Sequence, residues 1–144
     1  MIGGYAVDPV YAFREFMLVK SAYQNIDGRQ LLHFIVSFST TVAYRLSADD
    51  MLASGYDICH LFPGYQVVYA LHMDSAHCHL HFVVNSVSFE DGKKHFSGFH
   101  DLFPVRDFLQ ECFPRSNAHI YQSFPDSDVN RFGCSDDDEL LRID

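Results

Sequence analysis

The sequence HMDSAHCHLHFVVN, residues 72–85, contains four of the nine histidines of the chain within ten residues. Because side chains alternate between the two faces of a β-strand, His77, His79 and His81 share one face with Asn85. The other face receives only apolar side chains, from Cys78, Leu80, Phe82 and Val84. The segment therefore predicts a strand with one buried apolar face and one row of imidazoles.

A second strand is predicted immediately upstream, over residues 65–72, and Asp74 and Ser75 are typical of the turn that would connect the two. A hairpin formed about residues 73–76 places His72 near His77 and Ala70 opposite His79. The small side chain of Ala70 would leave room above the sheet for the imidazoles.

The histidines of this hairpin are candidate metal ligands. Rings converging from His72, His79 and His81 can bind one divalent ion at about 2.0–2.1 Å per nitrogen. Asp74 is placed to accept an N–H bond from a ligating ring. His77 has three possible roles at this point: metal ligand, phosphate contact or structural residue. The alternative interpretation is a surface strand whose histidines face water.

The rest of the chain alternates predicted helices and strands. Capping residues and apolar periodicity predict a helix from Asp8-Pro9 to the Asp27-Gly28 turn, with Val10, Phe13, Phe16 and Met17 on its apolar side. They also predict helices over residues 48–61 and 101–113, while residues 31–39 read as a strand. The predicted fold class is an α/β (α+β) sandwich, with a mainly antiparallel sheet and helices packed on one face.

Length and composition restrict the class of protein. A chain of 144 residues that is 48% hydrophobic predicts one globular domain, over residues 1–113, followed by an irregular acidic tail over 114–144. There is no apolar run of about 18 residues and no signal peptide, so we expect no membrane contact. Four scattered cysteines predict a reduced, cytoplasmic protein. The net charge of -9 argues against a nucleic-acid partner.

Several motifs in order along the chain nevertheless resemble those of plasmid mobilisation relaxases, which belong to the HUH endonucleases. The name HUH describes two histidines flanking a hydrophobic residue, which is His79-Leu80-His81 here. The resemblance covers residues 3–110, and its further motifs are Gly28-Arg29, HFIVSFS at 33–39, FPGYQVV at 62–68, NSV at 85–87 and GKK at 92–94.

The resemblance implies a relaxase-like fold and a nuclease that acts on single-stranded DNA at a transfer origin during conjugation, with accessory mobilisation proteins as further partners. It implies His72, His79 and His81 as ligands of a divalent ion (Mg²⁺, Mn²⁺ or Zn²⁺), which polarises the phosphate that a tyrosine attacks. It also implies His33 and Ser37, on the neighbouring strand, as site or DNA contacts, whereas the alternative is that both are structural.

The sequence departs from the family pattern in two respects. The nucleophilic tyrosine of the family precedes the region that resembles residues 3–20 here, so we expect an incomplete domain in which Tyr5 is the nearest substitute. Few cations are available to bind DNA. Arg29, Lys93 and Lys94 form a small patch, and the alternative interpretation is that the two lysines only solvate a turn. Two other functions therefore stay open, a non-catalytic metal- or DNA-binding remnant and an unrelated histidine-metal hydrolase.

Overall fold

The computed structural model describes residues 1–73, 78–94, 99–113, 119–123 and 141–142. They form an α+β fold around one six-stranded sheet, in which every neighbouring pair of strands is antiparallel. In chain order the elements are β1 Ile2–Tyr5, α1 Ala12–Ala22, β2 Leu31–Phe38, α2 Thr40–Ala43, α3 Ala48–Cys59, β3 Val67–Met73, β4 Cys78–Asn85, a 3₁₀ turn Phe99–Leu102, α4 Phe103–Cys112, β5 His119–Ser123 and β6 Leu141–Arg142. The strand order across the sheet is β1-β3-β4-β2-β5-β6.

The apolar face predicted for residues 78–85 is confirmed. Leu80, Phe82 and Val84 are each 0% exposed and belong to the main core together with Phe34 of β2. The rings of Phe34 and Phe82 stack with their centroids 4.7 Å apart. These side chains lie in the centre of the sheet because β4 is paired on both sides, with β3 and with β2.

Helices α3 and α4 pack onto this apolar face, as the sequence predicts. Helix α3 begins at a capping box in which Ser47 and Asp50 each bond the backbone N–H of the other, and it buries Met51 and Ile58. Helix α4 buries Val105 and Leu109 against the same core. Among the described helices, none is long and apolar enough to cross a bilayer.

The predicted apolar side of α1 is confirmed at Phe16 and wrong at Val10 and Phe13. Val10 and Phe13 are 73% and 82% exposed, and the buried positions of this helix are Phe16 and Lys20. The carboxylate of Asp8 accepts a bond from the N–H of Val10, but the helix itself begins later, at Ala12. Its rotation is set by a bond from the side chain of Asn85 to the carbonyl of Phe16, which the helical period alone does not reveal.

The sheet continues past residue 113, where the sequence predicts only an irregular tail. Strand β5 pairs with β2 over five residues, and Ile120 is 0% exposed opposite Val36. Strand β6 then pairs with β5. Strand β5 is too short to show a clear period in the sequence. It forms because its backbone satisfies the hydrogen-bonding groups at the otherwise unpaired edge of β2.

Candidate functional site

The face of the sheet opposite α3 carries four histidines on three adjacent strands, and we call it the histidine face. It receives His33 from β2, His72 from β3, and His79 and His81 from β4. The ring of His81 is central, with centroids 4.5 Å from His72, 5.7 Å from His33 and 6.4 Å from His79. The structure therefore brings together the three predicted ligands and adds His33 to them.

The register of the hairpin differs from the predicted one by two residues. His72 lies opposite His79, and Ala70 lies opposite His81. The reason is the extent of the strand pairing, which continues to Met73 opposite Cys78 instead of ending at His72 opposite His77. The shift keeps every side chain on its predicted face, and it sets two of the proposed ligands directly beside each other.

His33 contacts His81 across the space between β2 and β4. Nδ1 of His81 and Nε2 of His33 are 3.4 Å apart, and the two rings stack at an interplanar angle of 18°. One of these two nitrogens must carry the proton that joins them. Burial lowers the pKa of His33, which favours the neutral ring. A neutral His33 can orient the His81 ring without adding positive charge to the site.

Ser37 also belongs to the histidine face by its register. Its Cα partner on β4 is His79, and it is 9% exposed. Ser37 is therefore a neighbour of one proposed ligand in the sheet. Asp74 and His77, the remaining candidates on the hairpin, lie outside the described residues.

The donor chemistry of this face suits a divalent ion, because neutral imidazole is a common ligand of Zn²⁺ and of other transition-metal ions. The backbone register also suits one, since directly opposite side chains start about 4.5–5.5 Å apart. Within the described residues, however, no three histidine, cysteine or acidic side chains are arranged as a ready cluster around one point. Binding an ion would require the rings to turn toward each other about their side-chain torsions.

Tyr5 is not brought to the histidine face. It pairs with Val67, whose side chain is in the core, while Ile2 and Gly4 pair with Ala70 and Val68. The Tyr5 ring packs against α3, with its centroid 4.8 Å from that of His60 and 6.2 Å from that of Tyr56. Since side chains alternate along β1, Tyr5 and the histidines are on opposite sides of the sheet.

The three predicted DNA-binding cations lie on two loops at the Asn85 end of β4. The carbonyl of Arg29 accepts a bond from the hydroxyl of Ser86, so the two loops are joined. Lys93 is ion-paired with Asp91, at 2.8 Å. Lys94 forms an isolated bridge with Val87. The structure therefore brings Arg29 and Lys94 into the same region and engages Lys93 with a carboxylate.

The sequence patterns do not identify one further cation of this region, Lys20. Lys20 is only 3% exposed, and its ammonium bonds the carbonyl of Gln30 at the start of β2. Its signal in the sequence is weak, because a single lysine after the apolar run FMLV resembles any solvated helix position. Only its spacing of four residues from buried Phe16 distinguishes it.

Comparison with known protein families gives one match over most of the chain. The family model described as the relaxase, MobA/VirD2-like, nuclease domain matches residues 1–114. Neither the comparison with curated proteins nor the comparison with solved structures returned a match.

Proposed function

Because the chain belongs to the MobA/VirD2-like relaxase family, we propose that it binds single-stranded DNA at a transfer origin through the histidine face. The observation that carries this proposal is the group of four imidazoles, His33, His72, His79 and His81, that three adjacent strands present on one side of the sheet. The setting that we propose is plasmid mobilisation in the cytoplasm, together with accessory mobilisation proteins.

We further propose that His72, His79 and His81 hold a divalent ion. The closest rings, those of His72 and His81, have centroids 4.5 Å apart, and His79 lies opposite His72 on the neighbouring strand. An ion bound there would polarise an oxygen of the scissile phosphate. His33 would hold the ring of His81 in one orientation and one tautomer through the contact between their nitrogens.

The remaining predicted residues have supporting roles in this proposal. Asp74 would accept an N–H from a ligating ring, while His77 and Ser37 would contact phosphate. Arg29 and Lys94 would contact the DNA backbone beyond the histidines. Lys93 would contribute less, because Asp91 neutralises it.

The position of Tyr5 favours a second, narrower function, which is strand binding without tyrosyl transfer by this residue. Formation of a phosphotyrosyl bond requires the phenolic oxygen to reach the phosphorus atom held at the ion. The Tyr5 ring instead packs against His60 and Tyr56 on the far side of the sheet. We therefore propose that Tyr5 is a structural residue.

The metal part of the proposal is tested by binding of a labelled single-stranded oligonucleotide with and without Mn²⁺. We expect Mn²⁺ to strengthen binding by the natural protein, and we expect His79→Ala combined with His81→Ala to remove that effect. His100→Ala is the matched control, because His100 is exposed and lies on the 3₁₀ turn. Equal stimulation by Mn²⁺ in the double variant would contradict the ligand assignment.

The role of Tyr5 is tested by a search for a covalent protein–DNA adduct on a denaturing gel. We expect Tyr5→Phe to give the same result as the natural protein. An adduct that forms with the natural protein and disappears in Tyr5→Phe would show that Tyr5 reaches the phosphate and would overturn the structural role.

A further inference from the structure

Lys20 is a buried cation whose hydrogen-bonding capacity is only partly used. Its ammonium donates to the backbone carbonyl of Gln30 at 2.5 Å and to the side-chain oxygen of Gln30 at 3.2 Å. A lysine ammonium carries three donors. Within the part of the chain that the structure describes, the third has no acceptor, although the residue is only 3% exposed. Such a donor is costly to leave unpaired.

A second ammonium, that of Lys94, lies beside the same loop, because Gln30, which binds Lys20, also bonds the carbonyl of Gly28. Nζ of Lys94 is 3.7 Å from the point where a Cβ on Gly28 would stand, so it lies over the Gly28 turn. Gly28 has φ +68°, a conformation that favours glycine, and it has no side chain to fill the space beneath Lys94. Burial and, secondarily, the charge of Lys94 lower the pKa of Lys20.

Neither lysine has a carboxylate partner among the described residues. The ion pairs found there are Lys93 with Asp91 and Arg106 with Asp107. Two positive groups at one loop with no negative one repel each other, and burial of one of them increases that cost. An anion bound at this loop would offset the positive charge and accept the unused N–H of Lys20.

The loops around the two lysines are held in place by hydrogen bonds between them. The side chain of Asn25 donates to the carbonyl of Gly92 at 3.0 Å, and the hydroxyl of Tyr23 donates to the carbonyl of Phe89 at 2.9 Å. The amide of Gln30 donates to the carbonyls of Ile26 and Gly28, both at 2.7 Å. These hydrogen bonds hold the loops around the two ammonium groups in fixed positions, which lowers the entropy cost of binding a ligand.

We propose that Lys20, Lys94 and the Gly28 turn form a binding site for a phosphate group. The anion site follows from the geometry of the two lysines, and the assignment of the phosphate to a bound DNA strand rests on the proposed function. Gln30 precedes β2 and His33 lies three residues further on, which is about 10 Å along a strand. A single strand lying on the histidine face would therefore pass close to this site.

The test uses the full chain without divalent ions, so that the histidine face contributes as little as possible. Two probes are compared: inorganic phosphate, read as a rise in melting temperature, and a single-stranded oligonucleotide, read as affinity against salt concentration. The variants are Lys20→Met and Lys94→Met. The control is Arg14→Met, which removes the same charge from an exposed position of α1.

We expect both lysine variants to bind the oligonucleotide about tenfold more weakly than the control. We also expect the slope of log affinity against log salt to fall by about 0.7 for each lost phosphate contact. Phosphate should raise the melting temperature of the natural protein and of Arg14→Met but not that of Lys94→Met. Lys94 is half-buried and outside the core, so this variant gives a result even where Lys20→Met does not fold.

The outcomes separate this proposal from the proposed function. A normal affinity and salt slope in Lys94→Met overturn the assignment to a DNA phosphate. A response to phosphate that is unchanged in Lys94→Met overturns the site itself. In a third outcome, phosphate raises the melting temperature of the natural protein but not that of Lys94→Met, and the natural protein binds no oligonucleotide with or without Mn²⁺. This outcome supports the anion site and overturns only the proposed function.

Discussion

The two adjacent lysines of the GKK motif show how far the environment of a single side chain decides its role. In the sequence Lys93 and Lys94 are equivalent neighbours on a turn. In the structure the ammonium of Lys93 is 2.8 Å from the carboxylate of Asp91, whereas that of Lys94 lies over Gly28. The first is neutralised by its partner, and the second keeps an uncompensated charge. Phosphate binding is therefore expected of Lys94 more than of Lys93.

The first prediction concerns the acid titration of Asp91. The hydrogen bond from the Lys93 side chain, with further bonds from the Lys93 backbone and Ser88, lowers the pKa of Asp91 to about 2. A carboxyl with a depressed pKa in the folded state stabilises that state above its ordinary value of 3.8, and the contribution is lost as the pH falls toward 2. Carboxyl chemical shifts in a pH titration measure this pKa directly.

The variant Lys93→Ala should return the Asp91 pKa toward its ordinary value. Lys94→Ala is the matched control and should leave the Asp91 titration where it is, because no contribution of Lys94 to it is found. An unchanged titration in Lys93→Ala would contradict the ion pair.

At the scale of elements, α1 is the helix whose sequence pattern misleads. Its exposed apolar side chains have helical spacing, yet the helix is attached through polar groups. Asn85, fully buried, donates to the carbonyl of Phe16 at 3.3 Å and to the side chain of Gln66 at 3.0 Å. A buried amide without partners is costly, so these bonds determine which side of α1 meets the sheet.

The second prediction tests the rotation of α1 by two matched truncations. Phe16 is 6% exposed and Phe13 is 82% exposed. Phe16→Ala should reduce the free energy of unfolding by about 3–5 kcal/mol, through lost burial and a cavity. Phe13→Ala should change it by less than about 0.5 kcal/mol, as for an ordinary surface substitution. Denaturant melts of both variants measure the difference, and equal losses would contradict the observed rotation.

The two faces of the sheet carry different kinds of side chain. One face holds the core under α3 and α4, while the other presents the histidines and leads to the lysines beside Gly28. The chain carries a net charge of -9, which does not itself attract DNA. In the proposed function, the positively charged side chains must therefore attract DNA through their local field and not through the net charge of the chain. A divalent ion at the histidines would add positive charge in the same region.

The third prediction concerns the whole molecule and its response to a divalent ion. A ligand that binds only the folded state stabilises it by about 2.7 kcal/mol at a hundredfold excess over the dissociation constant. Mn²⁺ should therefore raise the melting temperature of the natural protein, and chelation should reverse the rise. The combined His79→Ala and His81→Ala variant should show no rise, whereas His60→Ala, which changes a histidine on the α3 side, should behave as the natural protein.

Sequence patterns were sufficient to predict the features that depend on local periodicity. Alternation over residues 78–85 assigned each side chain of β4 to its correct face, and the Ser47 cap and apolar spacing located α3. These are properties of neighbouring residues, and the strand and helix periods follow from backbone geometry alone. The resemblance to the relaxases, which the family match confirms, also came from motifs along the chain.

The features that depend on contacts between distant residues are visible in the folded chain alone. The register of His72 with His79 follows from how far β3 and β4 are paired, and the contact of His33 with His81 joins residues 48 positions apart. The phase of α1, the separation of Tyr5 from the histidines and the position of Lys20 and Lys94 at one loop arise in the same way. Each of these features depends on how two elements are rotated and registered against each other. Long-range hydrogen bonds and packing determine that arrangement, and a local sequence pattern does not encode it.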